Sequence, residues 1–351
     1  MKPRTFAFSP FCSPDLGIDL GTTHTQVWVA GAGIALDEPS IVAVQNGSRR
    51  VLNHGQAVGN LAKIMHGRTP DSFQTIRPIR DGVVADFEVC EQMLRYFIRK
   101  ARPRSWGAKP RVLIAVPSEV TPVERQAVLT TAQRAGARQV YLMDKAKAAG
   151  LGARLPLAEP VGSMVCDLGG GTTEIAVLCL GDVAVSESLR IAGEEIDRAI
   201  MDYLRRKHML RIGEQMAERI KVEIGAAAAL EPVKTLAVRG CDVVTGLPRQ
   251  TVLTSEEVRE AIETPVQSIV EAIGRTLGRC HPELSADLME NGMVLAGGGS
   301  QCCGLDRRLS QATGMPVRVA PDPLTCVVRG LGICLEHLDA WHHLIQHRRA
   351  A

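Results

Sequence analysis

The chain has 351 residues, which is enough for two domains of ordinary size. Apolar residues make up 45% of the chain but aromatic residues only 3%, so we expect cores made of aliphatic side chains. Lys and Arg number 41 against 38 Asp and Glu, and a net charge of +3 argues against a nucleic-acid partner.

The distribution of cysteine and apolar residues argues against zinc, disulfide-framework, membrane-spanning and secreted proteins. The ten cysteines are scattered without the CxxC spacing of zinc ligands, and several lie inside apolar runs. Buried free thiols are typical of a reducing compartment rather than of a disulfide framework. No apolar run approaches the ~18 residues that span a bilayer, and the N-terminus lacks the apolar stretch of a secretory signal. We therefore expect a cytoplasmic protein.

Residues 1–14 form a tail that combines aromatic and basic side chains. Phe6 and Phe8 stand among basic residues, a combination that can bind an anionic bilayer surface. Pro3 and Pro10 argue against a continuous amphipathic helix. Trp106, in a loop ahead of an apolar strand, is a second candidate membrane contact. A tail without membrane contact is the alternative.

The first strand pattern ends in an Asp-Gly-Thr turn and is followed by alternating apolar residues, which predicts a β-hairpin. The amide of Gly21 and the hydroxyls of Thr22 and Thr23 can approach and bind a phosphate. Asp19 would repel a phosphate, but it can hold Mg²⁺ through water. A hairpin turn with no ligand is the alternative for this motif taken alone.

The middle of the chain alternates helix and strand patterns. Residues 88–101 place their apolar side chains on one helical face, and residues 111–117 form an apolar run closed by proline, which is typical of a buried strand. Thr121 and Glu124 then form a capping box, and Gly136 ends the predicted helix. This alternation indicates an α/β fold. A second capping box is predicted further along, at residues 254–257.

The Asp-Gly-Thr turn occurs twice, because the pattern at residues 18–23 returns at residues 166–173. Repeats at so long a separation indicate two homologous halves, since solenoid repeats have a period of roughly 20–50 residues. Two such turns facing each other would make a phosphate clamp, with Asp167 as the second metal carboxylate. The candidate phosphate-binding residues of this second turn are Gly169, Gly170, Gly171, Thr172 and Thr173.

A third glycine cluster follows the apolar strand pattern at residues 293–296. The backbone of Gly297, Gly298 and Gly299 can lie flat against a nucleoside, while a tight turn between strand and helix is the alternative. The chain contains no GxxxxGK[ST] loop and no well-placed GxGxxG fingerprint, which disfavours the P-loop and Rossmann classes.

The chain resembles the superfamily of actin, the heat-shock chaperone ATPases and the sugar kinases, and within it the MreB family closely, over about residues 15 to 336. The segments that carry this resemblance are LGIDLGTTHTQVWVAGAGIALDEPSIVAV (16 to 44), GRTPDSFQTIRPIRDGVVADFEVCEQMLRYFIRKA (67 to 101), DLGGGTTEIAV (167 to 177), AERIKVEIGAA (217 to 227), VTGLPR (244 to 249) and PLTCVVRGLG (323 to 332).

The resemblance implies a duplicated, actin-like (ribonuclease H-like) α/β fold, in which two domains of two subdomains each surround a cleft for ATP and Mg²⁺. The implied boundaries are 15–42 with 76–155 and about 322–338 for subdomain IA, 43–75 for IB, 156–191 with 256–321 for IIA, 192–255 for IIB, and tails at 1–14 and 339–351.

The resemblance also implies roles for the candidate site residues. The two Gly-Thr turns correspond to the two phosphate loops, Glu218 and Lys221 lie on the ribose- and adenine-facing helix, and residues 297–299 form the adenosine loop. MreB-type function implies filaments of the protein itself at the inner face of the cell membrane. The implied partners are the lipid surface and membrane proteins of the cell-wall elongation machinery.

One position departs from the family pattern. MreB proteins typically carry E-E-P-M-A-A-A, with the second Glu orienting the attacking water, where this chain carries DKAKAAG at 144–150. Lys145 replaces that Glu, and an ammonium cannot accept a proton from water. We therefore expect impaired hydrolysis with nucleotide binding retained, unless Asp144 substitutes from one residue away. A non-hydrolysing scaffold and, less favoured, a small-molecule kinase of the same fold are the alternative functions.

Overall fold

The computed structural model describes residues 14–102, 108–341 and 344–346. The candidate membrane residues Phe6, Phe8 and Trp106 lie outside these described ranges. Among the described residues, no helix is both long enough and apolar enough to cross a membrane.

Strands and helices alternate along the described chain. The strands are β1 (Leu16–Leu20), β2 (His24–Val29), β3 (Gly33–Pro39), β4 (Val42–Gln45), β5 (Phe73–Ile76), β6 (Ile79–Arg80), β7 (Val83–Val84), β8 (Arg111–Val116), β9 (Gln139–Asp144), β10 (Ser163–Leu168), β11 (Thr173–Cys179), β12 (Asp182–Leu189), β13 (Leu210–Arg211), β14 (Thr235–Asp242), β15 (Pro248–Thr254), β16 (Met293–Ala296), β17 (Val317–Val319) and β18 (Ile345–Gln346). The α-helices are α1 (Leu52–Gly55), α2 (Asn60–Met65), α3 (Phe87–Ala101), α4 (Pro122–Arg134), α5 (Lys145–Gly152), α6 (Gly193–Lys207), α7 (Glu214–Ile224), α8 (Ser255–Gly278), α9 (Pro282–Asn291), α10 (Leu305–Thr313), α11 (Cys326–Glu336) and α12 (Leu338–Trp341), and short 3₁₀ helices span Gly298–Gln301 and Pro323–Thr325.

Two large sheets share one topology. The first has the order β18-β9-β8-β1-β2-β3, and the second has the order β12-β11-β10-β16-β17. In each sheet an antiparallel three-stranded meander (β1 to β3, β10 to β12) continues into parallel strands (β8 and β9, β16 and β17). The two hairpins and the duplication predicted from the repeated turn are confirmed.

The two repeated aspartates occupy equivalent positions in these sheets. Asp19 pairs in register with Ala115 of the parallel strand β8, and Asp167 pairs with Ala296 of the parallel strand β16. In both sheets the aspartate lies at the carboxyl end of the central strand, next to the turn that follows. Ligands of open α/β sheets bind at this end of the strands.

Local patterns account for most of these elements. The apolar run of β8 is buried from Val112 to Val116, as expected of a strand covered on both faces. Both capping boxes are present, with the side chains of Thr121 and Thr254 accepting hydrogen bonds from backbone amides at the starts of α4 and α8. The predicted helix at residues 88–101 is α3, which begins one residue earlier.

Three smaller sheets lie outside the repeated units. Strands β4 and β5 form one, β13, β14 and β15 form another, and β6 and β7 form the third. The first two fall mainly in the segments that the sequence analysis assigned to subdomains IB and IIB, whose boundaries stay predictions. The described cysteines are free thiols, several of them buried, which agrees with the expected absence of a disulfide framework in that part of the chain.

Helices α5 and α11 join the two halves. One hydrophobic cluster contains Leu113 and Met143 of the first sheet, Val165 and Ala176 of the second, and Leu331 of α11. Helix α5 follows β9 directly, so its first residue, Lys145, stands at the carboxyl end of the first sheet. The fold thereby brings Lys145 to the edge where the Asp-Gly-Thr turns lie.

Candidate functional site

A cleft of about 910 Å³ lies between the two large sheets, and both halves of the chain line it. Most of the residues predicted from sequence meet there. Those that line the cleft are Asp19, Gly21, Thr22, Thr23, Lys145, Asp167, Gly169, Gly170, Gly171, Thr172, Glu218, Lys221, Gly297, Gly298 and Gly299. Thr173 does not line the cleft, because its hydroxyl is buried and donates a hydrogen bond of 2.6 Å to the carbonyl of Ile191.

The two Gly-Thr turns have the same internal hydrogen bond and touch each other. The amide of Gly21 donates to the carbonyl of His24 at 3.1 Å, and the amide of Gly169 donates to that of Thr172 at 2.9 Å. A Cβ added to Gly170 would lie 2.2 Å from the Thr23 side chain, so only glycine allows the turns to approach this closely. The repeat therefore forms a two-sided cradle of amides and hydroxyls.

Lys145 lies beside the second turn and forms an ion pair with the second repeated aspartate. Its Nζ is 3.1 Å from Oδ2 of Asp167, and the side chains are 12% and 2% exposed. Burial lowers the pKa of Lys145, but Asp167, Asp19 and Glu174 together raise that pKa above its ordinary value. The ammonium is therefore charged at neutral pH.

The first repeated aspartate lies in a different electrostatic environment. Burial raises the pKa of Asp19 to about 6, although the Lys145 ammonium opposes the shift. The neighbouring Asp167 carboxylate contributes to the same increase. Asp19 is thus one of the carboxyl groups of this cleft whose ionisation the fold disfavours.

Glu174 is a buried carboxyl that the sequence analysis missed. It is 1% exposed, pairs in register with Asp167 across β10 and β11, and accepts a hydrogen bond of 2.6 Å from Ser188. Burial raises its pKa, while Ser188 and Lys145 lower it. The register of the second hairpin could have identified it, because residues directly opposite in a hairpin point to one face of the sheet.

Asp144, the proposed substitute for the missing Glu, does not line the cleft. Its Oδ2 lies 3.7 Å from Nζ of Lys147, which also contacts Asp182 at 2.7 Å. Although Asp144 directly precedes α5, its side chain makes no capping hydrogen bond there. The structure therefore does not bring Asp144 to the position expected of a water-orienting carboxylate.

The candidate nucleoside residues line the same cleft as the two turns. Glu218 forms an ion pair with Lys63 at 3.0 Å, and Lys221 forms one with Asp197 at 2.8 Å. Gly297 has a φ of +77°, and a Cβ there would lie 2.6 Å from Oδ1 of Asp167. Glycine is required at 297 because the backbone there passes so close to Asp167. Lys63 and Asp197, the partners of Glu218 and Lys221, were not indicated by any local sequence pattern.

Further polar contacts bridge the mouth of the cleft. They connect residues 63–77 of the first half to the start of α6 and to α7 of the second. The bridging pairs are Lys63 with Glu218, His66 with Glu214 at 3.1 Å, Arg77 with Glu194 at 3.1 Å and with Glu214 at 3.4 Å, and the amide of Gln215 with the carbonyls of Lys63 and His66 at 3.1 Å each.

The geometry of two homologous halves around a glycine-lined cleft agrees with the comparisons to known proteins. The family model described as MreB/Mbl protein matches residues 13–343. The chain belongs to the MreB/Mbl family. The cell shape-determining protein MreB of Escherichia coli strain K12 is 49% identical over 333 residues, which cover 95% of this chain and 96% of that protein. The cell shape-determining protein Mbl of Bacillus subtilis strain 168 is 43% identical, with 93% and 96% covered.

Solved structures of the MreB/Mbl family have the same fold. A crystal structure of MreB5 of Spiroplasma citri bound to AMPPNP matches with a TM-score of 0.89 and 32% identity, covering 94% of this chain and 98% of that one. The expected family and the actin-like α/β fold are therefore confirmed. As a member of this family, the protein is an actin-like cell-shape protein.

Proposed function

We propose that this MreB/Mbl protein binds ATP in the cleft between its two sheets and assembles in the ATP-bound state into filaments that organise cell-wall synthesis. The observation that carries the proposal is the convergence of both Gly-Thr turns and the 297–299 loop on one cavity. Two structures of MreB5 of Spiroplasma citri, one bound to AMPPNP and one to ADP, give independent support for a nucleotide ligand.

Each part of the cleft has a role in this proposal. Amides and hydroxyls of the two turns bind the phosphates, as backbone nests do. The glycine backbone at 297–299 lies against the nucleoside, and Glu218 and Lys221 face the ribose and adenine. Because Glu218 is already paired with Lys63, nucleotide binding would exchange this ion pair for contacts with the ligand.

Hydrolysis is slow in the proposed function. Lys145 stands where the family's water-orienting Glu is expected, and Asp144 faces Lys147 instead of the cleft. Loss of general-base assistance typically slows a reaction by ~10²–10⁴-fold. We therefore expect assembly to depend on nucleotide binding and not on turnover.

The Mg²⁺ ion that the family resemblance implies meets an obstacle in this cleft. Asp19 and Asp167 were expected to hold it through water as a pair of free carboxylates. The ammonium of Lys145 lies 3.1 Å from Asp167, so this carboxylate is already paired with a fixed cation. The residues present therefore do not fit the expected site, and no step of the proposed function uses the metal.

The site of action proposed for the filaments is cytoplasmic, at the inner face of the cell membrane. Phe6, Phe8 and Trp106 are the proposed lipid contacts, because amphipathic aromatic residues beside basic ones bind the headgroup region. Other copies of the chain and membrane proteins of the elongation machinery are the proposed protein partners, and no nucleic acid is involved. The subdomain boundaries of the sequence analysis are part of this proposal.

The binding proposal is tested with a fluorescent ATP analogue and the variant Thr23→Val, which removes one cradle hydroxyl without changing shape. A hydrogen bond to a charged group is worth roughly 1.5–3 kcal/mol, so affinity should fall by about ten- to a hundredfold. Thr130→Val, which removes a hydroxyl on α4 far from the cleft, is the matched control and should bind like the parent. If Thr23→Val binds the analogue as tightly as Thr130→Val does, the first turn is not part of the nucleotide site.

Assembly and membrane contact are tested by sedimentation. The parent should pellet with ATP but not without nucleotide, and it should co-sediment with anionic liposomes. Replacing Phe6, Phe8 and Trp106 together by Ser should reduce liposome binding while leaving ATP-dependent pelleting intact. Unchanged lipid binding by the triple variant would eliminate these residues as the membrane contact.

A further inference from the structure

We propose that the Lys145 ammonium is a built-in counter-ion for the nucleotide phosphates, so that this protein binds a nucleoside triphosphate without a divalent cation. The inference rests on the proposed nucleotide-binding function and specifies the chemistry of that site. It concerns binding, and it is separate from the effect of Lys145 on hydrolysis.

The position of the ammonium is the first observation. Nζ of Lys145 lies 3.1 Å from Asp167 and 3.6 Å from the point where a Cβ of Gly169 would stand, so it is directly beside the second turn. Asp19, on the opposite turn, is close enough for mutual electrostatic influence. The positive charge is therefore in contact with one of the two aspartates that were expected to share a metal ion, and it acts electrostatically on the other.

The balance of charge is the second observation. The carboxyl groups of Asp19 and Asp167 line this end of the cleft, and a triphosphate would bring further negative charge to it. Glu174 is buried opposite Asp167 in the hairpin and adds a third carboxyl group nearby. A carboxylate at position 145 would add to the repulsion, and a divalent cation would then be needed to offset it. Replacing that carboxylate by the ammonium of Lys145 changes the local charge by the same amount as adding one divalent cation.

The third observation is that the ammonium is held in place. Lys145 is the first residue of α5, whose backbone packs directly on α11 through Gly330. The contact of this ammonium with Asp167 is an ion pair, and Oδ2 of Asp167 accepts no hydrogen bond from the described part of the chain. The three donors of the ammonium can be directed to phosphate oxygens. Lysine is a common phosphate-binding residue because it is a compact point charge.

A divalent cation would have to share this space with a fixed positive charge. It would either displace Lys145 from Asp167 or lie close to it, and like charges in a partly buried site repel strongly. The ammonium of Lys145 therefore removes the need for the divalent cation that a site with two carboxylates would require.

The test measures the Kd of a fluorescent ATP analogue in excess EDTA and in excess Mg²⁺. For the parent, the two values should differ by less than about threefold, whereas Lys145→Glu should bind weakly in EDTA and gain about tenfold or more from Mg²⁺. Lys145→Met, which keeps the length of the side chain without its charge, should lose affinity in EDTA. Lys207→Met, which removes an exposed ammonium paired with Glu260 on the surface, is the matched control and should behave like the parent.

The possible outcomes separate this inference from the function on which it rests. If the parent binds the analogue in Mg²⁺ but loses it in EDTA by tenfold or more, Lys145 does not replace the divalent cation and the inference is wrong. If the parent binds the analogue in neither condition, the proposed nucleotide-binding function itself fails. Measurements on the parent protein decide both points, so the result does not depend on whether Lys145→Glu folds. Thermal melting of each variant checks its folding.

Discussion

Substituting Gly330 by Ala would separate the two helices that join the halves of the molecule. Helices α5 and α11 pack backbone against backbone, and a Cβ on Gly330 would lie 1.9 Å from the carbonyl oxygen of Ala148. The same Cβ would lie 3.0 Å from the Cα of Ala148, so the obstruction is main chain and not the end of a flexible side chain. Relief requires α5 to move as a unit.

The magnitude follows from the distances. Ordinary van der Waals contact begins at 3.4 Å, so the helices must separate locally by roughly 1.5 Å. Overpacking of a close-packed interior typically costs about 1–3 kcal/mol, and the better helix propensity of Ala returns at most about 1 kcal/mol. Because the blocking atom is backbone, we expect a net loss of about 1–2 kcal/mol in the free energy of unfolding.

Urea unfolding of Gly330→Ala and of the control Gly274→Ala measures this effect. Gly274 lies within α8, and a Cβ there would meet nothing within 4 Å, so the control should gain up to about 1 kcal/mol. The same substitution should therefore have opposite signs in the two helices. A Gly330→Ala variant as stable as the parent would refute the close packing of α5 on α11. Nucleotide affinity should also fall, because α5 carries Lys145 into the cleft.

Three further variants test the electrostatics and the local structure. Because burial raises the pKa of Asp19 from 3.8 to about 6, Asp19→Asn should stabilise the nucleotide-free protein by at most about 3 kcal/mol above pH 6. That gain should vanish below about pH 4, where Asp19 is protonated in both the folded and the unfolded state. Urea unfolding of the parent and the variant above about pH 6 and below about pH 4 measures the difference. Arg77→Ala removes the pairs with Glu194 and Glu214, and stopped-flow release of nucleotide should accelerate by up to about fivefold. Thr121→Ala removes the capping box of α4 and should cost about 1 kcal/mol in urea unfolding.

The sequence alone determined the elements that depend on neighbouring residues. Capping boxes at Thr121 and Thr254, the buried strand β8 and both hairpins follow from short patterns, because each is stabilised by contacts within a few residues. The duplication was also visible, since homologous halves retain the same Asp-Gly-Thr turn. The repeated turn thus predicted two homologous halves whose turns face each other.

Only the tertiary structure decided how the charged groups of the cleft are paired. The partners of Lys145, Glu218 and Lys221 lie on other elements, and that of Glu218 is about 150 residues away along the chain. Glu174 differs from them, because its position opposite Asp167 follows from the register of a local hairpin. Whether a carboxylate is free to hold a metal or is already neutralised by an ammonium depends on distances of a few ångströms. Such distances arise when the halves pack together, and no local sequence pattern encodes them.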